Sequence, residues 1–215
     1  MGQGAETDGE LRIDYTAVSD PEDRIFLAAR EVFFSQGYDG ARTEEIARKA
    51  GVNKAMLHYY FRSKRSLFLA VFRASARQLV PLVVEFLGDD APIRTKVERF
   101  AASYVDLATQ NPHLPSFLLE EMRRNPEWLV DLMKENTAGL FERFAEQLRA
   151  AAEHGEIRPI APEHLLANVA GLCVMPFLAR PLLQAVTGFD HATYDDFLHS
   201  RKREVADFIT SALAP

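Results

Sequence analysis

The chain has 215 residues, enough for one large domain or two small ones, and 47% of them are hydrophobic, enough to bury a core. A formal charge of −6 argues against a general polyanion binder. The single cysteine, Cys173, excludes an intrachain disulfide framework and fits a reducing cytoplasm.

The average charge hides a division. Residues 21–80 hold eleven Lys and Arg against six Asp and Glu, a local charge of +5. The rest of the chain holds fourteen against twenty-five, or −11. The basic part lies near the N-terminus.

Residues 1–20 are polar and acidic, with Arg12 as their one arginine, and are expected to form a disordered tail. They contain no apolar stretch of the kind a secretory signal needs. One arginine is too few for an arm that enters a minor groove. From Pro21 the pattern turns helical, with Asp20 suited to the cap. Ile25, Ala28, Ala29, Val32 and Phe33 recur at helical spacing and predict one buried face. Gly37 predicts a stop. Thr43 is expected to cap a second short helix that ends at Gly51, and Asn53 a third that runs to about Tyr60. Ser63 is expected to cap a fourth, longer helix, kinked at Pro81. Further helices are predicted at about 92–110, 114–124, 126–153, 163–186 and 193–213. No segment shows sustained period-2 alternation. The fold class is all-α with about nine helices. The longest uncharged apolar run, Leu165 to Ala179, is too short to cross a bilayer and reads as a buried helix.

Two short helices joined by a glycine turn form the helix-turn-helix pattern. Ile46, Ala47 and Ala50 give the second helix an inner face, and Val52, Leu57 and Phe61 give one to the third. That turns Lys54, Ala55, Met56, His58 and Tyr59 outward, and a helix so presented fits the major groove of DNA. Lys54 suits guanine or a phosphate, Ala55 a thymine methyl, and Met56 an apolar contact. His58 and Tyr59 carry short rigid polar groups for phosphates or base edges. Thr43, at a helix start, and Lys64 suit phosphates.

The stretch "RIFLAAREVFFSQGYDGARTEEIARKAGVNKAMLHYYFRSKRSLFLAVF", Arg24 to Phe72, resembles the DNA-binding domain of the TetR family of transcriptional regulators. The marks are "F-x-x-x-G-Y" ending the first helix, Thr43 opening the second, "I-A-x-x-A-G-V" across the turn and "L-x-x-Y-F-x-x-K" closing the third. The resemblance covers under a quarter of the chain. It implies DNA contacts at Thr43, Lys54, Ala55, Met56, His58, Tyr59, Tyr60 and Lys64. His58 stands where the family usually has tyrosine, Met56 where a small hydroxyl residue is common, and Arg65 where an acidic residue is common.

The division expected is a tail over 1–20, a DNA-binding domain over 21–66, and a ligand-sensing and dimerisation domain over 67–215. The predicted helix near 163–186 is apolar nearly all round. The last helix carries Tyr194, Phe197, Leu198, Val205, Phe208 and Ile209 on one stripe. Burying both asks for a partner chain, and the resemblance implies a homodimer in which these two helices form a four-helix bundle. The resemblance also implies a sensor pocket between the middle helices. Candidate ligand-binding residues are Phe100, Tyr104, Phe117, Met122, Trp128, Asn168 and Met175, with His113, Glu120 and Arg123 as further polar anchors. The effector expected is apolar or aromatic.

No catalytic motif stands in the sequence, and no cofactor, metal or membrane partner is expected. The six histidines form no pair at i+3 or i+4; His191 and His199, near Asp190, Asp195 and Asp196, come nearest to a metal site. The expected function is a cytoplasmic, ligand-responsive homodimeric regulator, read as a repressor of a palindromic operator. The rival reading is a small-molecule binding protein of the same fold that no longer reads DNA.

Overall fold

A computed structural model describes residues 18–215. The expected tail lies almost wholly outside them. Twelve helices and no strand occur among the described residues, so the fold is all-α. They are α1 (Pro21–Gly40), α2 (Thr43–Lys49), α3 (Lys54–Phe61), α4 (Lys64–Arg77), α5 (Val80–Gly88) and α6 (Ile93–Gln110). Then follow α7 (Leu114–Arg124), α8 (Pro126–Thr137), α9 (Leu140–Glu153), α10 (Pro162–Leu178), α11 (Arg180–Thr187) and α12 (His191–Leu213). The chain divides into two compact units between Val71 and Phe72, within α4.

In the first unit, Asp20 caps α1 by accepting from the Glu22 amide at 2.8 Å. Ile25, Ala28, Ala29, Val32 and Phe33 are buried, as their spacing predicts. Gly37 adopts φ 66°, which a residue with a side chain resists, and interrupts α1 where the stop is expected. Asn53 caps α3 by accepting from the Met56 amide at 2.8 Å. Ser63 accepts from the Ser66 amide at 3.1 Å at the start of α4. Thr43 does not cap α2. Arg42 holds that position without a side-chain bond, and Thr43 is the first helical residue. Its hydroxyl instead donates to Glu44 Oε2 at 3.3 Å. Ile46, Ala47, Ala50 and Leu57 form the inner face of the pair, while Val52 and Phe61 are only half-buried.

In the second unit the core gathers Phe86, Val97, Ala101, Phe144, Leu148, Leu165, Val169, Val205 and Ile209 from α5, α6, α9, α10 and α12. Three helices expected as single pieces are divided. The fourth predicted helix is interrupted at residues 78–79, just before Pro81, which lies in the first turn of α5. Proline lacks the amide that would continue the helix. The preceding turn tightens, with Gln78 and Leu79 donating to Ser75 and Ala76, three residues back. Gly139, at φ 74° and ψ −10°, separates α8 from α9. Ala179 separates α10 from α11, the two meeting at a bend of 73°.

Pro176 lies inside α10. It cannot donate to the Leu172 carbonyl one turn back, and Arg201 Nη2 from α12 donates there instead, at 3.2 Å. The Tyr194 hydroxyl of α12 donates to the Pro176 carbonyl at 2.6 Å. The α12 stripe is therefore spent differently from expectation. Tyr194, Leu198, Val205 and Ile209 are buried within the chain's own unit, and of the six residues only Phe208 is exposed.

Candidate nucleic-acid interface and effector cavity

The order of residues in α3 decides what it offers. Leu57 is buried and anchors the helix, while Lys54, Ala55, Met56, His58 and Tyr59 are exposed. Tyr59 keeps 79% of its surface accessible, an unusual exposure for an aromatic that serves only packing. Tyr60 is half-buried, with its ring edge-on to Tyr59 at 5.2 Å.

The polar groups on this helix are oriented by neighbours. Lys54 Nζ pairs with Glu44 Oε1 of α2 at 2.5 Å. The Lys54 hydrogen bond is the main reason the Glu44 carboxyl sits at about 2, well below its ordinary value. His58 Nδ1 lies 3.1 Å from the Arg62 carbonyl, so it must donate, which leaves Nε2 without a hydrogen bond to any described residue. Lys64 is more committed. Its ammonium sits 4.6 Å from the centre of the Tyr38 ring and donates to the Asp39 carbonyl at 3.4 Å. Arg62, with φ 57°, turns the chain between α3 and α4, and it and Arg42 are exposed. Both count toward the basic charge of residues 21–80, and neither is among the contacts expected from the sequence.

The second unit contains a cavity of about 170 Å³ between α6, α7, α8 and α10. Leu107, Leu114, Leu118, Leu119, Met122 and Tyr104 are among its eleven lining residues, and Tyr104 alone of the eleven has a hydroxyl. Tyr104 and Met122 were anticipated there. Phe100 stacks on Tyr104 at 6.2 Å without lining the cavity. Phe117 and Trp128 also lie outside its lining, both with their rings against Phe72, at 6.2 and 5.7 Å. Asn168 and Met175 are exposed on α10 and do not line it. His113 is exposed, and Glu120 is paired with Arg123 and Arg124 at 3.0 and 2.7 Å. The Leu107, Leu114 and Leu118 wall was not anticipated, because aliphatic residues at helical spacing read as ordinary core.

Cys173 is buried at 1% exposure, and burial pushes its thiol up to about 12. Among the described residues no group of three His, Cys, Asp or Glu is placed to hold a metal ion.

Two family models match. The one described as bacterial regulatory proteins, tetR family, matches residues 25–71. The one described as tetracyclin repressor-like, C-terminal domain, matches residues 94–209. The HTH-type transcriptional regulator RutR of Escherichia coli (strain K12) is 28% identical over 218 residues, covering 100% of both chains. The HTH-type transcriptional repressor NicS of Pseudomonas putida is 33% identical over 144 residues, covering 64% of this chain and 60% of its own. The fold is that of the transcriptional regulator FadR from Bacillus subtilis, solved with stearoyl-CoA: TM-score 0.61 at 19% identity, over 89% of this chain and 98% of that one. It is also that of the hemolysin II transcriptional regulator HlyIIR: TM-score 0.58 at 22% identity, over 91% and 97%. With both units matched in sequence and a helix-turn-helix that leaves its third helix exposed, the chain belongs to the TetR family of transcriptional regulators.

Proposed function

We propose that the chain is a homodimeric repressor that reads a palindromic operator and is released from it by a small apolar effector. The observation that carries this reading is the exposed face of α3. Lys54, Ala55, Met56, His58 and Tyr59 stand clear of the core on a helix anchored by Leu57. These five residues, with Thr43, Tyr60 and Lys64, are the contacts assigned to DNA. DNA reading is assigned to residues 21–66, and sensing and dimerisation to residues 67–215. A DNA-reading role places the protein in the cytoplasm.

Dimerisation is supported by apolar side chains that the monomer leaves uncovered. Met175 of α10 is 56% exposed, Leu182 and Val186 of α11 are 63% and 76%, and Phe208 of α12 is 62%. A two-fold dimer would read half-sites about one helical turn apart, roughly 34–36 Å. The effector reading is supported by the cavity, whose walls are almost wholly aliphatic. Coupling is assigned to α4, whose residues belong to both units. A difference of about 1–3 kcal/mol between effector states would weaken the operator complex roughly 5- to 150-fold.

Selection of bound duplexes from random DNA tests the proposal. An enriched palindrome with half-sites one turn apart supports it. No enrichment from a folded, dimeric preparation contradicts it.

A further inference from the structure

The cavity's chemistry narrows what can occupy it, and this inference rests on the effector reading above. We propose that the cavity takes an uncharged, mainly hydrocarbon molecule of about six to ten non-hydrogen atoms that carries one hydrogen-bond acceptor, held by the Tyr104 hydroxyl.

The lining excludes ions. None of the eleven residues is charged, and none is an amide, a histidine, a serine or a threonine. A carboxylate or ammonium placed there would lose its hydration with no counter-charge to replace it. Glu120 and Arg123, expected as anchors, satisfy each other outside the lining.

The size limits the molecule. A volume of about 170 Å³ is close to that of apolar cavities that take up benzene, although the site opens to solvent beside the exposed Leu119 and Met122.

Tyr104 supplies the one specific contact. It is 6% exposed, and its hydroxyl makes no hydrogen bond to any described residue. Its ring is held by Phe100, stacked at 6.2 Å, and by Phe177, edge-on at 6.0 Å. Burial raises its pKa, so the group stays a neutral phenol and acts as a donor. The hydroxyl is still reached by solvent, and a bound molecule that displaces that solvent must offer an acceptor in its place.

Calorimetric titration of the full chain with three probes tests this. Acetophenone carries a carbonyl, cumene has as many non-hydrogen atoms but no acceptor, and benzoate is an anion. Acetophenone is expected to bind roughly 3- to 10-fold more tightly than cumene, and benzoate not to bind. Tyr104→Phe is expected to weaken acetophenone to the level of cumene and to leave cumene unchanged. That second result shows the variant still folds. Val174→Phe, which fills the cavity, is expected to abolish binding of both. Equal affinities in the unaltered protein, binding of benzoate, indifference to Val174→Phe, or no binding of any probe would overturn the proposal. The operator complex is measured separately. If the probes bind in this pattern and the complex is undisturbed, the ligand class stands and the effector reading falls. If benzoate releases the operator through the cavity, the effector reading stands and the ligand class falls.

Discussion

Glu44→Gln separates the charge of the reading face from its shape. Glu44 Oε1 lies 2.5 Å from Lys54 Nζ, and both side chains are solvent-exposed. The carboxyl is held at about 2, chiefly by its hydrogen bond with Lys54, so it is ionised wherever the protein is folded near neutral pH. The pair therefore brings no net charge to the DNA. Glutamine keeps the size and an acceptor oxygen but leaves the lysine charge uncompensated. Each additional phosphate neutralised steepens the fall of log affinity with log salt by about 0.9. At about 0.1 M salt that corresponds to roughly 8-fold tighter binding per reading head, and roughly 60-fold for a dimer. Fluorescence anisotropy on the selected operator, across about 50 to 200 mM salt, measures both quantities. Unchanged affinity with an unchanged slope would refute the placement of Lys54 beside the DNA backbone. Weaker binding would show that the carboxylate itself contacts the site.

Three further outcomes follow from the second unit. Arg201→Met leaves the Leu172 carbonyl without the donor that replaces the missing Pro176 amide, and is expected to cost about 1–3 kcal/mol in denaturant unfolding; an unchanged midpoint would refute that role. Cys173 and Tyr104 both have pKa values raised first of all by burial, Cys173 from 9.0 to about 12. The folded state therefore keeps protons that the unfolded chain gives up. Stability should be full below about pH 9 and should fall as pH rises toward 12. Cys173→Ala should flatten part of that decline, and a thiol reagent at about pH 8 should leave native Cys173 unmodified. Phe208→Asp should produce a monomer in sedimentation and abolish operator binding without lowering helix content; a dimer that survives would remove α12 from the interface.

What was legible in the sequence was what local chemistry fixes. The α1 face from Ile25 to Phe33 follows from helical period, and Asp20, Asn53 and Ser63 act as caps because their side chains reach an amide two or three residues on. The exposure of Tyr59 beside a buried Leu57 follows from the same period. Thr43 was misplaced by one position, since a hydroxyl at the first helical residue and one at the cap look alike in sequence. The breaks at Gly139 and Ala179 were hidden because apolar spacing continues across them. The fate of the α12 stripe was not legible at all. Tyr194 and Ile209 are buried within the chain and Phe208 is not, a distinction set by which neighbours fold against them. The cavity wall was illegible for the same reason, because Leu118 beside a cavity and a leucine in solid core have the same sequence signature.

The central claim is that the outward face of α3 reads DNA. The most direct measurement is binding of the selected operator across a salt series, for the unaltered protein, Lys54→Ala and Tyr59→Ala. Affinity is expected to fall steeply with salt. Lys54→Ala, which leaves the Glu44 carboxylate uncompensated on that face, should weaken binding, and Tyr59→Ala should weaken it with the slope nearly unchanged. Operator affinity that neither substitution alters would contradict the account.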